Sequence, residues 1–171
     1  MPSCSKAKNP KGVEITFEEE THKYFSFIDG KEVTYISGTC FCGKFFPPFD
    51  PTGKITERCA QKEGITVEAL KAKWAAKGKA SCIFGTKVHS ICEDVILGRD
   101  IREKSPVDLK ETNTFAVAKK VASKFKQTLD ILGVEKVVFD CDLPTPIAGT
   151  IDLFARSRKD GSYLILDWKT N

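Results

Sequence analysis

Hydrophobic and polar positions alternate at residues 13–17, 24–28 and 33–36, as in strands with one face turned to a core. Asp29-Gly30 separates the last two as a tight-turn signal. These segments predict an amino-terminal β-meander, preceded by a polar tail, residues 1–12, that is expected to be loose. Phe45, Phe46, Pro47, Pro48, Phe49 and Asp50 follow as an aromatic connection, because two prolines forbid a helix or a central strand there. Beyond it the period lengthens. Leu70 and Trp74 stand four apart behind Thr66 and Glu68, with Glu63 nearby, and predict a helix over 67–76. A second helix is predicted over 80–97, stopped by Gly98. A third is predicted over 111–132, carrying Phe115, Val117, Val121, Phe125, Leu129 and Leu132 and ending at Gly133. From Val134 the pattern turns extended, with strands predicted over 135–143, 147–155 and 163–169, the last two joined by Lys159-Asp160-Gly161.

A small β unit, a group of helices and a run of strands predict a mixed α/β fold, a central mixed sheet flanked by helices. The expected organisation is one domain, with residues 1–12 as tail, 13–50 as meander and linker, and 51–171 as helices and sheet. A chain of 171 residues suffices for one core. With 41% hydrophobic and 29% charged residues, it is neither disordered nor collagenous. No apolar run reaches the roughly 18 residues of a membrane span and the start is polar and basic, so an intracellular protein is expected. A net charge of +4 tolerates a polyanionic partner without demanding one. Lys119, Lys120, Lys124 and Lys126 share one face of the third helix, either as a solvated face or as a phosphate track. Seven scattered cysteines read as reduced thiols, and Cys40, Cys42, Cys59 and Cys82 could supply four thiolates to zinc, although their spacing matches no usual zinc framework.

The residues that could carry chemistry are acidic and sit in the last strands. Asp152 interrupts the apolar run Gly149-Thr150-Ile151-Asp152-Leu153-Phe154, and a carboxylate there costs free energy unless something such as a metal ion compensates it. In the final strand, alternation puts Asp167 and Lys169 on one face, about 6.5 to 7 Å apart. The same Asp-x-Lys spacing recurs at Asp29 with Lys31 and at Asp108 with Lys110, but in polar, turn-like sequence. Gly85, His89 and Glu93 are spaced by four and form one helical stripe, left open at the glycine to a close-approaching backbone or ligand. Glu135 shares strand parity with Val137, Phe139 and Cys141, so it either faces the site or lies at a solvated strand end. Asp140 and Asp142 take the opposite parity and are expected to face solvent. Trp74, Trp168 and the 45–49 aromatic cluster could pack in the core or stack on bases.

Taken in order, Gly85-Thr86-x-x-His89-x-x-x-Glu93, Glu135, Gly149-Thr150-Ile151-Asp152 and Leu166-Asp167-Trp168-Lys169-Thr170 resemble the PD-(D/E)xK nuclease superfamily, in its RecB-like exonuclease branch. The resemblance covers residues 74–171, and the amino-terminal meander is similar to that of some viral and phage members. It implies a restriction-endonuclease-like core and divalent-metal-dependent hydrolysis of DNA phosphodiester bonds, as an exonuclease in processing, repair or recombination. It also implies Mg2+ or Mn2+ held by His89, Asp152, Asp167 and the Trp168 carbonyl, with Lys169 activating water and Glu135 in the catalytic set. Gly85, Thr86, Glu93, Thr150 and Thr170 would line the substrate side. RecB-like relatives continue past the lysine with a strand and a helix bearing Gln-x-x-x-Tyr, so a partner chain or self-association is expected to complete the sheet. Two alternatives stand beside the nuclease: a nuclease-like fold that binds nucleic acid without cutting, and a zinc-stabilised interaction domain.

Overall fold

In the computed structural model, residues 4–18, 20–48, 50–101 and 109–170 are described. Phe49, Asp108 and the first residues of the tail lie outside them. The chain is of mixed α and β type and divides into two compact units. The first comprises Met1–Pro47 with Thr128–Asp167, the second Pro48–Gln127 with Trp168–Asn171.

Among the described residues, the first unit holds every strand: β1 (Cys4–Lys8), β2 (Glu14–Glu18), β3 (Lys23–Ile28), β4 (Lys31–Ser37), β5 (Leu129–Asp140), β6 (Ile147–Ser157) and β7 (Tyr163–Leu166), with one short helix, α1 (Gly38–Gly43). The predicted meander is present, and Asp29 and Gly30 turn it between β3 and β4 with positive φ at both residues, +50° and +74°. β1 lies where a loose tail was expected. Its lysines face outward, Lys6 pairing with Glu14 at 2.8 Å, so the strand reads as a polar tail in sequence although it pairs with β2 along its length.

The sheet is mixed and nearly closed, in the order β1-β2-β3-β4-β6-β5. β4 runs parallel to the start of β6, whereas β5 and β7 both run antiparallel to β6. At the closing side, Lys11 pairs with Asp142 and Asn9 Nδ2 donates to Cys141 Sγ at 3.7 Å. Inside, Ile15, Tyr24, Tyr35, Val137 and Ala148 form a buried cluster flanked by Phe17, Val33 and Phe139. Tyr24 stacks on Phe17 at 4.4 Å between ring centres, and the buried hydroxyls of Ser26 and Tyr35 satisfy one another at 2.8 Å.

The second unit holds the long helices α2 (Lys54–Glu63), α3 (Val67–Leu97) and α4 (Leu109–Thr128), whose last residue opens the return into the first unit. Three sequence expectations are corrected here. The two helices predicted over 67–76 and 80–97 are one continuous helix of 31 residues, because Gly78 costs an exposed helix only about 1 kcal/mol and no proline interrupts it. Thr66 caps it, its hydroxyl accepting from the Ala69 amide at 3.1 Å, and Gly98 ends it in the left-handed conformation. α4 stops at Thr128, and Leu129 to Gly133 belong to β5 instead of continuing the helical stripe. The buried face of α4 is Phe115, Ala118 and Ala122; Val117 and Val121 are exposed. Lys119, Lys120, Lys124 and Lys126 are all exposed, and Lys126 donates to the Val95 carbonyl at the end of α3 at 3.2 Å. No helix among the described residues is long and apolar enough to cross a membrane.

Two outcomes test this packing. The Thr56 hydroxyl is fully buried on α2 with no hydrogen-bond partner among the described residues, so Thr56→Val is expected to raise unfolding stability by about 1 kcal/mol in urea titration. In the β6–β7 turn, hydrogen bonds from the Ser162 hydroxyl and amide, joined by Ser157, hold the Asp160 carboxyl down at about 2, from an ordinary 3.8. The turn's gain from the charged form is thus complete above pH 3.8 and fades as pH falls through 2. Carbon-detected NMR titration is expected to show that low midpoint, and to show it rise toward the ordinary value in Ser162→Ala.

Candidate metal centre

β6 is paired unequally on its two edges, and that inequality positions the acidic residues. On one edge β5 follows it from Ile147 to Ser157. On the other, β4 pairs only with Ile147 and Ala148, and β7 only with Leu153 to Arg156. The residues between, Gly149 to Asp152, have no strand partner on that edge among the described residues. Asp152 is the last of this open stretch, half-buried. Thr150 is anchored within the unit, its hydroxyl hydrogen-bonded to the Tyr24 hydroxyl at 3.0 Å.

Register sets three acidic residues at one level, and the carboxylates of two of them meet. Val134 pairs with Leu153 and Lys136 with Ile151, so Glu135 stands opposite Asp152. Their carboxylate oxygens lie within 4.8 Å of one another. Leu153 also pairs with Leu166, so Asp167, the next residue, leaves the sheet level with Asp152 on the other side. Glu135 reaches this row by an unusual backbone. Its φ is +47°, a left-handed conformation in the middle of a strand, where a residue with a Cβ is strained by about 1 to 2 kcal/mol. Simple strand parity with Val137 and Phe139 therefore does not describe Glu135, which is exposed. Asp140 and Asp142 are exposed as expected.

β7 ends at Leu166, so strand alternation does not carry on to Asp167 and Lys169 as the sequence suggested. The peptide bond after Asp167 is where the chain passes from the first unit into the second. There Trp168 is held twice: its ring stacks on Phe125 at 5.8 Å, and its carbonyl accepts a hydrogen bond from His89 Nε2 at 2.8 Å. Nε2 therefore carries a proton in this arrangement, and the two groups that the resemblance assigns to a cation are bonded to each other. Lys169 is exposed and Thr170 half-buried.

The rest of the helical stripe is engaged within the second unit. A methyl added at Gly85 would stand 3.8 Å from the Thr170 hydroxyl, an ordinary contact, so the glycine is not there to admit a closer neighbour. The Thr86 hydroxyl donates to the Cys82 carbonyl one turn back, at 3.0 Å. Glu93 accepts from Arg99 at 2.8 Å, an ion pair that folds the residue after the helix cap back over the last turn. Of the sequence candidates, then, Glu135 and Asp152 meet in the first unit, where Asp167 follows β7 as an exposed residue, and His89 and Trp168 meet in the second. Cys40 and Cys42 lie in the first unit, Cys59 and Cys82 in the second, and all four are free thiols. The sequence offered no signal for the His89–Trp168 bond, the Tyr24–Thr150 bond or the conformation of Glu135. Each depends on residues far apart in the chain or on a turn type that glutamate does not advertise.

Two close carboxylates are a donor set suited to a hard divalent cation, which prefers oxygen ligands. A cavity of about 440 Å³ in the first unit opens at the other end of β6, lined by Gly38, Leu143, Ile147 and Gly149 among others, and none of the acidic row lines it. The chain matches no family model, no curated protein and no solved structure at significance.

Strain at Glu135 yields an expected outcome. Glu135→Gly should raise unfolding stability by about 1 kcal/mol, by relieving the left-handed backbone, while weakening Mn2+ binding in calorimetry. Glu135→Ala should weaken Mn2+ binding similarly with no gain in stability.

Proposed function

We propose that this chain is a divalent-metal-dependent nuclease built on a restriction-endonuclease-like core, hydrolysing phosphodiester bonds of DNA with Mg2+ or Mn2+. The observation that carries the reading is the pair of Glu135 and Asp152, whose carboxylate oxygens lie within 4.8 Å of one another, with Asp167 one residue past Leu166, the register partner of Leu153. Its support in sequence is the ordered series of motifs ending in Asp167-Trp168-Lys169.

In this reading Asp152 and Asp167 hold the cation with Glu135, and the resemblance adds His89 and the Trp168 carbonyl as ligands. A bound cation would polarise the phosphodiester and lower the pKa of a coordinated water. Use of His89 Nε2 and the Trp168 carbonyl as ligands would exchange their mutual hydrogen bond for bonds to the ion. Lys169, exposed beside the acidic row in sequence, would hold the attacking water and meet the charge that develops on phosphate. Thr150, whose hydroxyl is already fixed by Tyr24, keeps the strand bearing Asp152 in register.

The test is cleavage of end-labelled single-stranded and duplex DNA with Mn2+, Mg2+ or chelator. Asp152→Ala and Asp167→Ala are each expected to lower the rate at least about 100-fold while leaving the unfolding midpoint close to wild type. Cleavage by either variant at the wild-type rate would remove the site from consideration. Metal-independent or absent cleavage by the wild-type chain would favour a fold that binds nucleic acid without cutting.

A further inference from the structure

β7 pairs only with β6 among the described residues, and it turns two large side chains outward. Tyr163 is 68% exposed and Ile165 70%. An edge strand that presents a large aromatic and a β-branched aliphatic side chain to water is unusual unless the face is used.

These side chains are organised. Phe154 on β6 lies nearly parallel to Tyr163, with 6.0 Å between ring centres and 15° between planes, so the exposed Tyr163 ring is backed by a second ring of the same orientation. Phe154 is also the register partner of Ile165, and Arg156 that of Tyr163. The Lys136 ammonium stands over the Phe154 ring, 5.5 Å from its centre, and its stem lies against Gly133, where an added Cβ would come 2.9 Å from the Lys136 Cδ. Arg156 flanks the other end, its Nε donating to the Gly161 carbonyl at 3.2 Å. The opposite face of β6 is closed to any ligand, since Leu153 and Ala155 are fully buried.

The platform is continuous with the acidic row. Strand alternation assigns Asp152, Phe154 and Arg156 to one face of β6, and adjacent members are about 6.5 to 7 Å apart. That is near the spacing between successive phosphates of an extended single strand, and each nucleotide adds a flat ring that an aromatic side chain can stack on. Duplex DNA keeps its bases stacked internally and offers no such ring. Cations at both ends of an apolar platform match the anionic backbone and flat bases of unpaired nucleic acid; an apolar partner surface would offer Lys136 and Arg156 no opposite charge.

We propose that Phe154, Tyr163 and Ile165, bordered by Lys136 and Arg156, form a stacking platform for the bases of single-stranded nucleic acid next to the acidic row. The identity of the ligand rests on the nuclease reading above, which this deepens by naming unpaired strand as the substrate. Tyr163 is the principal stacking group, because its ring is the more exposed of the pair.

The experiment is fluorescence anisotropy of a labelled oligothymidylate, of an oligomer of abasic sites of the same length and of a duplex, all in chelator, so that neither cleavage nor metal enters. Tyr163→Ala is expected to weaken oligothymidylate binding about 5- to 100-fold, the effect of losing stacking on a base, while Tyr163→Trp retains it. The abasic oligomer should bind wild type no more tightly than oligothymidylate binds Tyr163→Ala, and duplex affinity should change less than about twofold. Circular dichroism and the unfolding midpoint confirm that Tyr163→Ala folds. Unchanged oligothymidylate binding by Tyr163→Ala, an equal loss for duplex, or no binding by wild type would each overturn the platform. So would a wild-type dimer in sedimentation that Tyr163→Ala dissociates while oligothymidylate affinity holds, since the face would then serve a second copy. Loss of stacking in a chain that never cleaves DNA would overturn the nuclease reading alone.

Discussion

The pairing of β6 is the constraint on which the first unit depends. A strand with a partner along one whole edge has its register set there, and β5 supplies that partner for β6. The other edge is then free to be shared, and β4 and β7 take its two ends in opposite directions. The stretch left open between them ends at a carboxylate, and the strand that follows ends immediately before another. A shift of one residue in either pairing would turn Asp152 toward the face where Leu153 is now fully buried, where a charge is costly. The hydrophobic face of β6 therefore guards the placement of the acidic row, and stability and candidate chemistry are tied to the same register.

Within that frame the local departures are concentrated beside the acidic row. β5 shifts register between Ile131 and Gly133, then carries Glu135 in the left-handed region, where strands rarely place a side chain with a Cβ. The extra residue and the positive φ re-aim β5 just where Glu135 meets Asp152, while the remainder of the strand pairs regularly. Strain of this kind persists only where the surroundings hold it. Here the long β5–β6 pairing on both sides of Glu135 does so.

In the second unit the corresponding device is the grip on Trp168. A ring stacked on Phe125 and a carbonyl bonded to His89 fix the residue that covalently follows Asp167, through one helix each from α4 and α3. The chain between Leu166 and Thr170 has no regular strand geometry to define it, so these two contacts set its course inside that unit. Arg99, Thr66 and Gly98 secure the ends of α3, which keeps His89 at a fixed height along a helix of 31 residues.

Much of this was legible in the sequence, and for identifiable reasons. Alternation in 13–36, the Asp29-Gly30 turn, the Thr66 and Gly98 helix boundaries and the strand bearing Asp152 are local signals, decided by side-chain period, backbone sterics and caps within a few residues. The helix stripe was less legible: Phe115 and Phe125 fit a helical period, but so did Leu129 and Leu132, which the structure gives to β5, because leucine suits either element until a partner strand is present. β1 was hidden for the converse reason, since an edge strand with lysines looks like a tail until it pairs. Sequence named Asp152, Asp167, Glu135 and His89 as residue types suited to a cation. Only tertiary structure decided that register sets Glu135 opposite Asp152, that Glu135 gets there by a left-handed backbone, and that His89 bonds the Trp168 carbonyl. The physical reason is distance along the chain: such contacts join residues separated by tens of positions, and their energies exist only once the strands and helices have met.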